Sequence, residues 1–418
     1  MSIKHHQSVR GMKDLIGEEF CLHQHISETA KKVGELYGFS GLSTPLVEFT
    51  DVYKRTLGES SDVVNKEMYS FDDRNGESLT LRPEFTAGVV RAFIANGWQQ
   101  KLPLRLFSTG PLFRYERPQK GRQRQFTQVN FEALGSNNPL VDVEMIALGQ
   151  QLLSELGICN YSLELNSLGD ADSRKKYTAK LIEYFTERQN KLSADSKERL
   201  HKNPLRILDS KDKGDQILLK DVPKITECLS DESAHILETV TTSLSALNID
   251  YRINERIVRG LDYYNDIVFE FVSHADETGA QNTILAGGRY DGLVKTMGGP
   301  PTPAVGFAAG VERLALLAKK PDIISADIAI MPLGNDSQQE AVKIASQLRQ
   351  SGQRVEILYS GNMKKKLQRA VAQNVTYSII IGSEELEQRI AQVRIMSSGE
   401  QEVLKLDSIV DKGPWAVA

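Results

Sequence analysis

The chain has 418 residues, 40% of them apolar and 25% charged. That mixture excludes wholesale disorder, and the length predicts two or three domains, each able to bury its own core. The formal charge of −4, from 51 basic and 55 acidic side chains, excludes a polybasic protein. It does not exclude nucleic-acid binding, because a global sum conceals local clusters. Cys21, Cys159 and Cys228 stand far apart without a CxxC, which predicts neither a disulfide framework nor a zinc knuckle and fits a reducing compartment. The N-terminal stretch lacks the apolar segment of a secretory signal, and no apolar run approaches the roughly 18 residues of a membrane span. A cytoplasmic, multidomain protein with no membrane segment is expected. No Walker A loop, GxGxxG after a strand or kinase signature occurs, so a nucleotide would be held in some other way.

The first predicted element is a helix over 18–37, with Phe20, Ile26, Val33 and Leu36 as its apolar positions and Gly38 as its stop. GFSGLSTPLVEF reads as a strand interrupted at Pro45, and SLTL (78–81) as a short strand. Pro83 is expected in the first turn of a helix carrying Ala87, Val90, Phe93 and Ile94. Two strands follow, around 112–116 and 126–134, joined by a basic loop. From 172 to 213 the chain is polar and helical, with twelve Lys or Arg against seven Asp or Glu. The region 170–250 reads as an inserted helical module. Strand texture returns at 264–272 and 283–290, and GFAAG (306–310) leads into the helix VERLALLAKK. Beyond Pro321, strands and helices alternate, which predicts a small parallel or mixed α/β domain over 326–418, the first domain covering 1–325.

The hairpin carries the chemistry. Side chains alternate along a strand, so Phe113 and Tyr115 are expected on one face, with Val129, Phe131 and Ala133 on the core side of the second strand. The other faces line up Arg114, Glu116, Gln128, Asn130 and Glu132, which reads either as a solvated sheet face or as the floor of a polar site. The loop RPQKGRQR favours the site. Arg117, Lys120, Arg122 and Arg124 crowd one glycine without an acid, and phosphate is the anion that guanidinium forks match.

FRYERPQKGRQRQFTQ (113–128) resembles motif 2 of a class II aminoacyl-tRNA synthetase in its histidyl form, and VGFAAGVERLALL (305–317) resembles motif 3. The helix before Pro45 resembles motif 1, the dimer-interface element. RGLDYYN (259–265), AGGRYDGL (286–293), LRPEFTAGVVR (81–91) and KEMYSFDDR (66–74) resemble stretches of histidyl-tRNA synthetases. The resemblance implies an α+β fold: an antiparallel-sheet class II catalytic core with an inserted helical module, plus a C-terminal α/β anticodon-binding domain. It implies a homodimer that activates L-histidine with ATP and Mg²⁺ and charges tRNA(His).

Residue roles follow from the same resemblance. Arg114 clamps the α-phosphate, Glu116 lies on the adenine side and Phe126 stacks on adenine. Arg122 and Arg313 grip the β- and γ-phosphates, and Arg259 stands by the reacting carboxylate and α-phosphate. Glu84, Thr86 and Gln128 receive the ammonium of histidine, and Glu132, Tyr264 and Tyr290 its ring. Arg117, Gln119 and Arg124 meet the acceptor stem, and Lys364, Lys365, Lys366 and Arg369 cluster on a C-terminal helix that is either a solvated face or a tRNA contact. Cys21, His23 and His25 are poorly placed for a metal, since His23 points away from the other two on a helix. Phe85 is larger than the residue usual at its place, and Thr127 and Asn130 vary the common hairpin pattern. A non-catalytic paralogue, such as a regulatory subunit of ATP phosphoribosyltransferase, shares this core. The presence of Arg114, Arg259, Arg313 and a C-terminal domain weighs against it.

Overall fold

The structure, a computed structural model, describes residues 6–57, 63–258, 263–278, 282–321 and 326–416. The chain divides into two compact units, Met1–Pro321 and Asp322–Ala418. The first begins with α1 (Gly17–Leu36), β1 (Ser40–Gly41), β2 (Val47–Phe49), α2 (Thr50–Leu57), β3 (Tyr69–Asp72), β4 (Ser78–Leu81) and α3 (Thr86–Ala95). Then come β5 (Leu104–Phe113), β6 (Gln125–Leu134), α4 (Leu140–Glu155) and β7 (Tyr161–Ser167). Four helices interrupt the sheet: α5 (Ala171–Thr186), α6 (Ala194–Lys202), α7 (Lys213–Leu218) and α8 (Asp231–Ala246). The unit closes with β8 (Arg252–Ile253), β9 (Asn265–Ser273), β10 (Thr283–Arg289), α9 (Leu293–Thr296), β11 (Ala304–Gly310) and α10 (Val311–Leu314).

Eight strands form one sheet in the order β1-β5-β6-β11-β10-β9-β7-β8. It is antiparallel except for its outermost pairs, β1 with β5 and β7 with β8. The alternation of β6 decides what lies on each side. Val129, Phe131 and Ala133 are buried in the main core, where the Phe131 ring lies 4.9 Å from both Phe107 and Phe307. Each such fully buried phenylalanine contributes about 2 kcal/mol by removal of apolar surface from water. Gln128, Asn130 and Glu132 face the opposite way. Their partners across the ladder are Gly310, Ala308 and Gly306, so a row of polar side chains stands beside a row of small ones and leaves room above the sheet.

Within the four-helix insertion, α5 to α7 gather around a core of their own, Tyr177, Leu181, Phe185, Leu200 and Ile207, whereas α8 buries Val240 and Leu244 in the main core against α4 and β9. Each helix of the insertion starts on a capping residue. The side chains of Asp170, Ser193, Asp212 and Ser230 accept the first free backbone N–H groups.

Four local expectations change. In α1 the buried stripe is Leu22, Ile26, Ala30 and Val33, while Phe20 and Leu36 are exposed. The helical period selects the small Ala30 over the larger apolar residues. Gly38, at φ +76°, ends the helix as expected. Pro83 precedes α3 instead of sitting in its first turn, because the Glu84 carboxylate caps the helix by accepting the N–H groups of Thr86 (2.6 Å) and Ala87 (2.7 Å). The strand expected at 112–116 is β5. Its ladder ends at Phe113 opposite Gln125, where the Arg124 amide turns to Gly11 O (2.7 Å). Arg114 to Glu116 therefore lie beyond the strand, and Tyr115 is exposed and does not share a core face with Phe113. The helix expected after GFAAG is the single turn α10.

The second unit runs β12 (Ile328–Pro332), α11 (Asp336–Gln350), β13 (Val355–Ile357), α12 (Met363–Ala372), β14 (Tyr377–Ile381), α13 (Ser383–Glu387), β15 (Ile390–Ile395), β16 (Gln401–Lys405) and α14 (Ile409–Lys412). Its sheet, β13-β12-β14-β15-β16, is mixed: the first three strands are parallel and the last two are added antiparallel. The basic cluster on α12 is not one face. Lys366 is buried and donates to Pro332 O, and Arg369 pairs with Glu356 at 2.6 Å. Lys364 and Lys365 remain exposed.

Beneath the sheet, Asp142 of α4 and Arg289 of β10 form a buried ion pair, with 0% and 3% of their side chains exposed. Arg289 also donates to Ser136 O (3.0 Å) and Asp291 (3.3 Å). Replacing Asp142 with alanine strands a buried guanidinium and should cost about 3–5 kcal/mol. Adding Arg289→Met should restore most of that loss. Chemical denaturation measures both; a loss below about 1 kcal/mol for the single variant would refute the assignment.

Candidate active site

Above the polar row of β6 lies a cleft with a cavity volume of about 560 Å³. Glu84, Thr86, Gln128, Asn130, Glu132, Tyr263 and Tyr264 line it, together with Arg114, Glu116, Arg122, Phe126, Glu270 and Arg313. Residues from four separate stretches of sequence thus converge, as the hairpin reading required.

Glu132 is the centre of the first group. It is 1% exposed, and it accepts from Thr86 Oγ1 (2.5 Å), Asn130 Nδ2 (3.0 Å) and the Tyr290 hydroxyl. Burial pushes its carboxyl up to about 7, against the pull of these donors, with the nearby Glu84 charge adding to the rise. Its place depends on Gly306, because a Cβ there would collide with Glu132 Oε2. Tyr290 does not line the cleft; it supports Glu132 from behind. Glu84, also buried, is raised by desolvation although it caps α3 through the amides of Ala87 and Thr86. Tyr263 packs against Tyr264 (ring centroids 4.7 Å apart) and Tyr290 (5.6 Å), and burial lifts its hydroxyl well above the usual range.

The second group is cationic. Arg114 joins the two: its Nε donates to Pro83 O (2.9 Å), next to Glu84, and its guanidinium lies 5.4 Å from the Phe126 ring centroid. Arg122 and Glu116 form an ion pair at 2.5 Å. Arg313 donates to Thr283 O, and its pKa is lowered by burial and by the neighbouring Arg122. The loop between β5 and β6 is therefore less free of acid than its sequence suggests. Arg124 stacks over the Tyr115 ring (3.7 Å) and donates to Glu116 O (3.1 Å). Arg117 and Gln119 are exposed and stand outside the cleft lining. Arg259 lies outside the described residues.

Several lining residues were not anticipated. Glu270 carries a sequence signal, a lone carboxylate in the apolar run NDIVFEFV, and it accepts from Thr283 Oγ1 (2.8 Å). Tyr263 stands beside a residue that was singled out. Glu312 lies next to Arg313; burial raises its carboxyl to about 7, and it accepts from the Thr127 amide (2.8 Å). Asp209 and Lys211 come from the helical module, and no local pattern points to them.

Among the described residues no group of three or more His, Cys, Asp or Glu side chains could hold a metal ion. The arrangement suits a two-part substrate: a small polar molecule with N–H groups over Glu132, and a polyanion over the arginines.

The raised carboxyl at Glu132 has a stability consequence. Between about pH 4.5 and about pH 7 the folded protein keeps a proton that the unfolded chain has released, so ionisation costs stability as pH rises through this window. Glu132→Gln removes that cost. Its melting temperature should exceed that of the parent protein near pH 8, and the gap should shrink as the pH falls toward about 5. A gap independent of pH would contradict the shift.

The family model "Histidyl-tRNA synthetase" matches residues 11–314, and the model "Anticodon binding domain" matches 327–412. The histidine–tRNA ligase of Rhodospirillum rubrum is 51% identical over 403 residues, 96% of each chain. That of Gluconacetobacter diazotrophicus is 49% identical over 404 residues, 96% of this chain and 97% of the other. The crystal structure of apo S. aureus histidyl-tRNA synthetase superposes with a TM-score of 0.82 at 32% identity, covering 97% of this chain and 99% of that one.

Proposed function

The chain belongs to the histidyl-tRNA synthetase family, and on that premise we propose how its residues carry the reaction. The activity joins histidine to ATP as histidyl-adenylate, releases pyrophosphate, and moves histidine to the 3′ end of tRNA(His). Relatives named histidine–tRNA ligase match along almost the whole chain, which favours this activity over that of a phosphoribosyltransferase regulatory subunit.

Histidine sits over β6. Its ring N–H points to Glu132, held by Thr86, Asn130 and Tyr290, with Tyr264 bordering the ring. Its ammonium meets Glu84, Thr86 and Gln128. An analogue without the ring N–H forfeits a hydrogen bond to a buried carboxylate that water cannot replace, which is the physical basis of selectivity. Adenine stacks on Phe126 near Glu116, and the phosphates lie among Arg114, Arg122 and Arg313. The carboxylate of histidine then attacks the α-phosphorus, displacing pyrophosphate. Both reactants are anionic, so alignment and fixed positive charge supply most of the acceleration. Arg114 is suited to the α-phosphate because it is already anchored between the two half-sites, and Arg259 is assigned beside it by family resemblance. Mg²⁺ enters as part of the ATP substrate, with the phosphates and the carboxylates that line the cleft supplying its oxygens.

For tRNA(His), the exposed Arg117 and Gln119, with Arg124, address the acceptor stem, and the second unit presents Lys364 and Lys365 to the anticodon arm. A homodimer is supported by the three-stranded sheet β2-β4-β3. Val47, Phe49, Leu79, Leu81 and Phe71 share one of its faces by register, and Val47, Phe49 and Phe71 are exposed there. No helix among the described residues is long and apolar enough to cross a membrane, and we assign the protein to the cytoplasm.

The observation that carries this reading is the convergence of the Glu132 network and the Arg114 cluster in one cleft. Histidine-dependent ATP–pyrophosphate exchange tests it, with all other amino acids as controls. Arg114→Ala should lower turnover by about 100-fold or more while histidine affinity changes little. Exchange supported equally by another amino acid, or absent from folded protein, would refute the activity. Phe49→Asp should convert the dimer to a monomer in sedimentation, and a variant that remains dimeric would move the interface elsewhere.

A further inference from the structure

The helical module and the histidine pocket share a continuous chain of polar contacts. The module starts at Asp170 and its last helix starts after Ser230. These two ends are tied together: Ser230 Oγ donates to Asp170 Oδ2 (2.7 Å), and the Ser230 amide donates to Ser173 Oγ (2.8 Å). From this knot Ser233 reaches into the sheet. Its hydroxyl accepts from the Asp170 amide (3.1 Å) and donates to Asp266 Oδ1 (2.7 Å).

Asp266 is 7% exposed and holds φ at +44°, a conformation that costs most L-residues energy and that Asp and Asn tolerate best. Its main chain is gripped on both sides, since its amide donates to Gly169 O (3.2 Å) and its carbonyl accepts from the Leu168 amide (2.7 Å). Its Oδ2 accepts from Asn265 Nδ2 (2.9 Å), and Asn265 Oδ1 accepts the amide of Asp291, the neighbour of Tyr290 (2.7 Å). Two residues before Asp266 is Tyr264, whose carbonyl accepts from Arg174 in the first helix of the module.

Tyr264, which lines the cleft, and Tyr290, which holds Glu132, are thus both attached to the place where the module leaves and rejoins the sheet. We infer that Asp266 is a positioning residue that fixes Tyr264 and Tyr290 against the ends of the helical module, so that the module's orientation sets the affinity for histidine. The strained backbone at Asp266 has a purpose in this arrangement. It lies at the second residue of β9, where the pairing with β10 shifts register, and the carboxylate of the same residue holds the module. The module's basic excess over 172–213 offers the phosphates of tRNA a surface, and a displacement on binding there is delivered to Tyr264 through Arg174 and to Tyr290 through Asp266, Asn265 and Asp291. The inference rests on the reading that Tyr264 borders the histidine ring.

The test compares Asp266→Ala, Asp266→Asn and Ser233→Ala in the full chain by exchange kinetics. Asp266→Ala should raise the KM for histidine roughly tenfold, the size of one lost hydrogen bond to a charged acceptor, and leave the KM for ATP unchanged. Asp266→Asn, which keeps an acceptor and tolerates the backbone, should restore it. Ser233→Ala, which removes one hydroxyl from a folded protein, should shift histidine KM in the same direction. Histidine binding is then measured with and without periodate-oxidised tRNA(His). The parent enzyme should show at least about a threefold change in affinity, and the ratio should return toward one in Asp266→Ala. A parallel rise in both KM values, no rescue by asparagine, or equal tRNA ratios in parent and variant would overturn the inference. Tyr264→Phe serves as the control for the site: unchanged histidine KM there would fault the placement of the ring, not the coupling.

Discussion

A carboxylate sealed from water constrains most of the catalytic unit. Burial alone makes the ionised form of Glu132 expensive, so the fold must surround it with donors. Those donors come from three places: Thr86 from the helix after β4, Asn130 from the same strand and Tyr290 from the end of β10. Each must itself be held. Thr86 is fixed by the Glu84 cap on α3, Asn130 by the ladder of β6, and Tyr290 by the Arg289–Asp142 pair one residue away. The neighbouring strand must leave space, which is why glycine stands at 306. The same requirement ties the Glu132 end of the cleft to α4, β10 and β11.

The polar row on β6 and the aromatic core behind it are two consequences of one alternation. Phe131 cannot fill the core without Asn130 and Glu132 facing the cleft. This is why the site was largely legible in the sequence. Apolar and polar residues alternate from 128 to 133, and period-two logic needs only neighbours. Where the reading depended on distant partners it went astray. Tyr115 looked like a strand residue because nothing local reveals that Arg124 turns to Gly11 and ends the ladder. The four basic residues of the loop looked unpaired because Glu116 sits before Arg117, outside the apparent cluster, and meets Arg122 only when the loop folds back. Lys366 looked like part of a charged face, although its stem runs inward to Pro332 O. Ala30 was overlooked because a small side chain carries little signal, even where the helix needs one.

Charge is distributed with the same economy. The sum of −4 conceals five basic residues against one acid over 113–124, and twelve against seven over 172–213. The excess sits where phosphates would be bound, yet the resting site is not a bare field of cations. Glu116 neutralises Arg122 and Tyr115 shields Arg124, and burial weakens the hold of Arg313 on its proton. On the proposed placement, a triphosphate entering this cleft would exchange one anion for another at Arg122. The gain on binding is then the difference between two ion pairs, which favours a multidentate polyanion over a single carboxylate.

The insertion of the helical module between β7 and β8 explains how a separate core can affect this chemistry. Helices α5 to α7 pack around their own apolar residues and carry their own caps, while α8 lays its apolar side on the main core. The module's two connections lie beside the strand that begins immediately after Tyr264. A rigid body joined to a sheet at paired points acts as a lever at those points. The polar chain through Ser233 and Asp266 stands at those points and leads through Asn265 to the amide of Asp291, next to the Tyr290 whose hydroxyl donates to Glu132.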